Sequence, residues 1–258
     1  MTNNLQEDQL TPASPATRIL SIDVLRGFAV LGILIMNIQS FSMIFQTYSN
    51  PTAYGDLMGL NKWIWILSHV LAAEKFMTIF SMLFGAGVIL FIEKVRSSGR
   101  KPGPMHYRRN FWLLLFGLVH AYLLWYGDIL VNYSLCAFFV YLFRNKKPST
   151  LLIVGLIFFI IPVILYLLSA YSMQFWPEEQ LEQNMLNWRP DPEMIQKDIA
   201  MMQGSFAEQM EKRASITIII QTMVFLIYMF WRVTGLMLIG MALYKWHVLS
   251  ALKSRNFY

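Results

Sequence analysis

Arg18-Ile-Leu-Ser-Ile-Asp23-Val-Leu-Arg26-Gly27-Phe-Ala-Val-Leu-Gly32-Ile-Leu-Ile-Met-Asn37 decides the fold, because it opens an apolar helix with an Asp and an Arg in its first turn. An ionisable side chain costs roughly 2.5–3.5 kcal/mol at the centre of a membrane helix, and less toward the ends, so its presence calls for a reason. Asp23 and Arg26 stand at i,i+3 and two readings stay open: a functional pair, or a simple ion pair at the membrane boundary.

The rest of the chain sets the class. Hydrophobic residues make up 56% of the 258 and charged residues 14%, and the mean hydropathy is +0.46. Those values exclude an ordinary soluble domain and imply an all-α, polytopic membrane helix bundle. No ten-residue alternation with turns appears, which argues against a β-barrel. The formal charge of +6 collects in short loops, where it reads as a topology signal and not as a nucleic-acid footprint. The single Cys136 gives neither a disulfide framework nor a cysteine metal site.

A crossing needs about 20 apolar residues, and six segments answer: 24–46, 75–92, 111–126, 129–143, 150–171 and 215–244. Lys and Arg number fourteen in the segments on one side and five on the other, so the positive-inside rule puts both termini in the cytoplasm. The expected organisation is a disordered tail over 1–17, a single transmembrane domain over 18–250 with an extracytoplasmic segment at 172–213, and a tail over 251–258. The first 17 residues lack the basic start of a cleaved signal. Residues 63–73, with Trp63 and Trp65, suggest an interfacial helix running into the second span and interrupted by Glu74-Lys75. Within 172–213, Trp176-Pro177-Glu178-Glu179 and Asp191-Pro192-Glu193 resemble helix starts. Met194, Ile195, Ile199, Met202, Phe206 and Met210 then recur at helical spacing, predicting one amphipathic outer helix that acts either as a lid or as a plain surface element.

Few residues offer chemistry. The runs 111–126 and 129–143 are separated only by Gly127-Asp128 and are each about 22–25 Å long at 1.5 Å per residue. That is short of the roughly 30 Å hydrocarbon, so the Asp128 tip is expected below the outer interface, as a functional carboxylate or as a cap for the next helix. His120 lies eight residues earlier, as a general base or a hydrogen-bonded structural histidine. Arg232 sits inside the sixth span, stays charged there, and needs either Asp128 or a bound anion; Asn37 is placed to complete that network. No histidine pair has metal-ligand spacing, so no metal is expected. Gly85-Ala86-Gly87 and Gly235 with Gly240 mark close helix approaches. Phosphate loops and nucleophile elbows are absent from the sequence.

Ile22-Asp23-Val-Leu-Arg26-Gly27, Lys75-Phe76 with Phe80-Ser-Met-Leu-Phe84-Gly85-Ala-Gly87, Tyr107-Arg108-Arg109, His120-Ala-Tyr, Gly127-Asp128-Ile-Leu with Tyr133, and Gly240-Met-Ala-Leu-Tyr244 resemble, in order and spacing, the YeiB-like family of bacterial inner-membrane proteins. The Asp-x-x-Arg-Gly opening is also similar to membrane-embedded acyltransferases that acetylate surface sugars, except that Asn37 stands where those enzymes carry a His, and Asn is no base. The resemblance implies an inner-membrane location and a longer chain, so a missing C-terminal half or a homo-oligomer is an open expectation. It also implies acyl transfer from a cytoplasmic donor, acyl-CoA, to a small-molecule or acyl acceptor amid membrane lipids. On that reading Asp23, Arg26, Asn37, Arg108 and Arg109 bind substrate, and His120, Asp128 and Arg232 carry catalysis. The competing classes are a small-solute or ion transporter and a non-catalytic subunit.

Overall fold

The computed structural model describes residues 19–249; the expected tails over 1–17 and 251–258, and Arg18, lie outside the described residues. Among the described residues there is no strand. The ten α-helices are α1 (Leu20–Ser42), α2 (Gly59–Leu71), α3 (Lys75–Ser97), α4 (Pro102–Val119), α5 (Leu130–Val140), α6 (Pro148–Ser172), α7 (Glu178–Trp188), α8 (Pro192–Gln203), α9 (Phe206–Ile219) and α10 (Phe230–Lys245). Four stretches, Leu20–Ser42, Gly59–Ser97, Pro148–Phe175 and Phe206–Lys245, are long and apolar enough to cross a membrane, and the chain is a membrane protein. Between them α4 and the short apolar stretch Leu130–Phe143 form a hairpin.

α10 is the centre of the bundle, packed between α3 and α6 and against α5. Its residues Val233–Leu238 are all buried, the pattern of a helix that has no polar face to turn to solvent. Glycine makes this possible. A Cβ on Gly85 would run into the Met237 backbone, one on Gly240 into the Met82 backbone, and Gly155 and Gly235 face each other's carbonyls. Backbone cannot swing aside as a side chain can, so any larger residue at these positions forces the helices apart. Gly240→Ala is therefore expected to cost about 2 kcal/mol through overpacking. Gly27→Ala, where nothing lies within 4 Å of the new Cβ, should raise stability by roughly 0.5–1 kcal/mol, the helix propensity gain. Thermal unfolding of the purified variants in detergent separates the two, and equal effects would mean that the α3–α10 approach is looser than described.

The outer segment departs from the sequence reading in one respect. The two expected helix starts occur, at α7 and α8, and the Asp191 side chain accepts from the Met194 backbone N–H at 2.8 Å. The single amphipathic helix expected from Pro192 to Met210 is instead two, broken at Gly204-Ser205. There Ser205 and Glu208 form a reciprocal capping box that starts α9. α1 also stops earlier than 46, at Ser42, followed by a 3₁₀ turn at Phe45–Tyr48.

Candidate functional site

Two helices lose their regular winding around one place. α4 ends in a π-helical stretch, His120–Leu124, and α9 passes into α10 through another, Ile220–Met229. π-segments are rare and concentrate at functional sites. The outer segment is fastened over the first of them: Arg213 Nη1 donates to the Leu123 carbonyl at 2.6 Å and Thr217 Oγ1 to the Ala121 carbonyl at 3.2 Å.

A cavity of about 260 Å³ has a wall that includes Asn37, Tyr48, Glu74, Asp128, Asn132 and Tyr228. Asn37 is five residues, about 8 Å, short of the end of α1, so the wall runs from within α1 to Tyr48 in the turn that follows it. Asn132 is 2% exposed and its Oδ1 has no hydrogen-bond partner among the described residues, an orphan that a ligand or water would satisfy.

Asp128 makes the helix-start contact of the cap reading and a second contact besides. Its Oδ2 accepts from the Val131 backbone N–H at 2.9 Å, capping α5, while its Oδ1 meets His120 Nδ1 at 3.0 Å. The carboxylate is 1% exposed and the imidazole 37%. Such a buried carboxylate fixes the ring's orientation and puts the proton on Nδ1, which leaves Nε2 as the acceptor nitrogen; His120 itself is not among the residues of the cavity wall.

Of the two partners expected for Arg232, Asp128 is not the one found. Both of its oxygens are already engaged, and the guanidinium instead meets Glu74 Oε2 at 2.8 Å and donates to Thr78 Oγ1 at 3.1 Å and to the Tyr228 hydroxyl. Arg232 is 13% exposed and Glu74 44%. Glu74 is a cavity residue that the sequence reading passed over as an interruption. It sits in the left-handed region at φ 64, a strained setting for a non-glycine residue that points to a functional constraint. Asn37 shares the cavity wall with Glu74 and Asp128 but is joined to Arg232 by no described hydrogen bond.

The remaining candidates stand apart. Asp23 and Arg26 pair with each other at 3.4 Å, both about two-fifths exposed. Arg26 lies beside Gly87 of α3, and Arg109 covers the Phe91 ring at 4.6 Å; Arg108 is exposed. Gly87 is nine residues, about 13 Å, along α3 from the Thr78 contact of Arg232, so Arg26 and Arg109, close enough for their charges to act on each other, form a second basic region and not part of the cavity. His106, ahead of the apolar run in α4, is buried, bonded through Nε2 to the Ala137 carbonyl at 3.0 Å. Burial pushes its imidazole down to about 4, which marks it as a neutral pin between α4 and α5. No cluster of three or more metal-ligating side chains occurs among the described residues.

The chain matches no family model, and no solved structure matches it. It is similar to three curated proteins. The uncharacterized protein YxaH of Bacillus subtilis is 34% identical over 188 residues, 67% of this chain and 45% of that protein. The uncharacterized protein YeiB of Escherichia coli is 29% identical over 232 residues, 88% of this chain and 56% of that protein. An uncharacterized 39.9 kDa protein from the amylase 3′ region of Bacillus acidopullulyticus is 30% identical over 148 residues, 57% of this chain and 40% of that protein. The chain spans about half the length of the curated relatives it matches. These matches and the helical membrane fold together make it a YeiB-like protein, homologous to proteins that are themselves uncharacterized.

Proposed function

We propose that this chain is an inner-membrane protein with both termini in the cytoplasm, and that it transfers an acyl group from a cytoplasmic thioester donor to a hydroxyl-bearing acceptor. The observation that carries the reading is the His120–Asp128 hydrogen bond of 3.0 Å, which joins a buried carboxylate to a half-exposed imidazole. In the proposed step the acceptor hydroxyl gives its proton to His120 Nε2 while its oxygen bonds to the thioester carbonyl carbon. The carbon–sulfur bond breaks, and the leaving thiolate takes the proton back from the imidazolium. Asp128 holds the ring and stabilises the imidazolium. His120 lies eleven residues, about 16 Å, along α4 from Arg109, so donor phosphates held by Arg26, Arg108 and Arg109 would need a long acyl-bearing arm to deliver the thioester. Arg232 is engaged by Glu74 and serves the cavity's electrostatics through that pair.

A second reading draws on the Glu74–Arg232 pair. It borders the cavity, Arg232 Nε has no described partner, and an anionic solute replacing Glu74 on the guanidinium would make the chain a carrier with no covalent step. Purified protein tested for acyl-CoA consumption, beside liposomes tested for solute counterflow, separates the two. Consumption without counterflow supports transfer, and the reverse supports the carrier.

The topology has its own test. A cysteine introduced at Glu182, on exposed α7, is expected to react with a membrane-impermeant maleimide in intact cells freed of any outer membrane. Reaction only after lysis would place 172–213 in the cytoplasm and reverse the orientation.

A further inference from the structure

α1 and α2 diverge from the loop that joins them and leave between them an open groove of about 800 Å³, well within the size of small-ligand sites, about 300–1,000 Å³. Its shaft is apolar: Leu31, Leu34 and Ile35 of α1 opposite Ile64 of α2, all between 48% and 70% exposed. On a membrane protein that perimeter faces hydrocarbon, and an acyl chain is the matter available to fill it. The shaft also has the right length. From Leu31 to Ser42, both in the wall, α1 rises about 16 Å, which is half of the roughly 30 Å hydrocarbon and so one leaflet deep.

The mouth is polar and of one sign. Asp56 and Asn61 stand there, the Asp56 carboxylate accepting from Asn61 Nδ2 at 2.7 Å and from the Met58 backbone N–H at 3.3 Å. Those bonds hold its carboxyl below the usual carboxylate range. Among the described residues, no Lys, Arg or His forms part of the groove wall. An anionic headgroup would bring its charge to an uncompensated carboxylate, whereas a primary ammonium would gain a charge-assisted hydrogen bond. In the same wall the Trp65 indole Nε1 is buried and lacks an acceptor among the described residues.

We propose that this groove is a lipid site, in which one acyl chain of an amine-headed phospholipid lies between α1 and α2 with its ammonium group on Asp56. The site lies on the opposite side of α1's wall from the cavity and stands whether or not the acyl-transfer reading does.

The test is native mass spectrometry of the full chain, delipidated in mild detergent and given equal amounts of phosphatidylethanolamine and phosphatidylglycerol with identical chains. Phosphatidylethanolamine should be retained about five-fold over phosphatidylglycerol, the scale of one exposed charge pair. Asp56→Asn, an exposed and isosteric change, should bring the two to parity, and Leu34→Trp, which fills the shaft, should lower retention of both. Parity in the unaltered protein, a preference undiminished in Asp56→Asn, or retention unchanged in Leu34→Trp would each overturn the site. So would a lipid-free dimer, since a second copy of the chain would then be the occupant.

Discussion

His120→Gln is expected to lower acyl transfer by about 10²- to 10⁴-fold, the usual contribution of a positioned general base, while the protein's unfolding temperature barely moves. The imidazole is 37% exposed, its described hydrogen bond is the one to Asp128 and its described ring contact is one edge-on approach to Trp125 at 6.5 Å, contacts that a glutamine side chain of similar length largely keeps. Asp128→Asn should reproduce most of the loss by a different route. Asparagine still caps α5, because its side-chain oxygen can accept from Val131 as the carboxylate does. Its amide, however, would donate to Nδ1 and force the proton onto Nε2, leaving the ring in the wrong tautomer to act as a base. The measurement is steady-state acyl-CoA consumption by both variants, with KM for the donor as the internal check. A fall in kcat at constant KM fits the proposed roles. Variants with full activity would remove His120 from the reaction and leave the His120–Asp128 bond as a structural contact. A large drop in unfolding temperature for His120→Gln would point the same way.

That prediction rests on residues legible in the sequence, and the reason they were legible is instructive. His120 and Asp128 lie eight residues apart across one tight hairpin, so the chain itself brings them together, and the shortness of the two arms already argued for a recessed tip. The apolar segments were legible for the same kind of reason, since composition over 20 residues is a local property. Glu74 was not. It occurs next to Lys75 in an apolar stretch, where a charge pair looks like a helix break, and the break does exist between α2 and α3. Its importance comes from a residue 158 positions away, a separation that no periodicity reports. The signal was Arg232 itself, a cation in a span with no acid on its own helix, which required a carboxylate elsewhere. The π-stretches had no signature at all: a one-residue widening of a turn shifts the apolar face by too little to register against a helix that is apolar nearly all round. The split between α8 and α9 did have one, Ser205 followed three residues later by Glu208, which the apolar periodicity across it concealed.

The Glu74–Arg232 pair gives the largest expected effect on stability. Glu74→Ala should cost about 3 kcal/mol, at the low end for breaking a buried ion pair because Glu74 is 44% exposed. Most of that cost is the guanidinium left behind. Arg232 is only 13% exposed and cannot give up its proton. Its remaining partners are the Thr78 and Tyr228 hydroxyls, which carry no charge. Arg232→Leu should cost less, because it removes the harder ion and leaves a carboxylate that already reaches solvent. The double variant Glu74→Ala/Arg232→Leu should then be more stable than Glu74→Ala alone, since replacing both charges costs less than stranding one. Equilibrium unfolding of the four proteins in the same detergent closes the cycle. A coupling within about 0.5 kcal/mol of zero, the range for independent sites, would mean that Arg232 reaches water by snorkelling and that Glu74 is strained for some reason other than holding it. A coupling of 1 kcal/mol or more would fix the pair as the charge contact that holds Glu74 in the cavity wall.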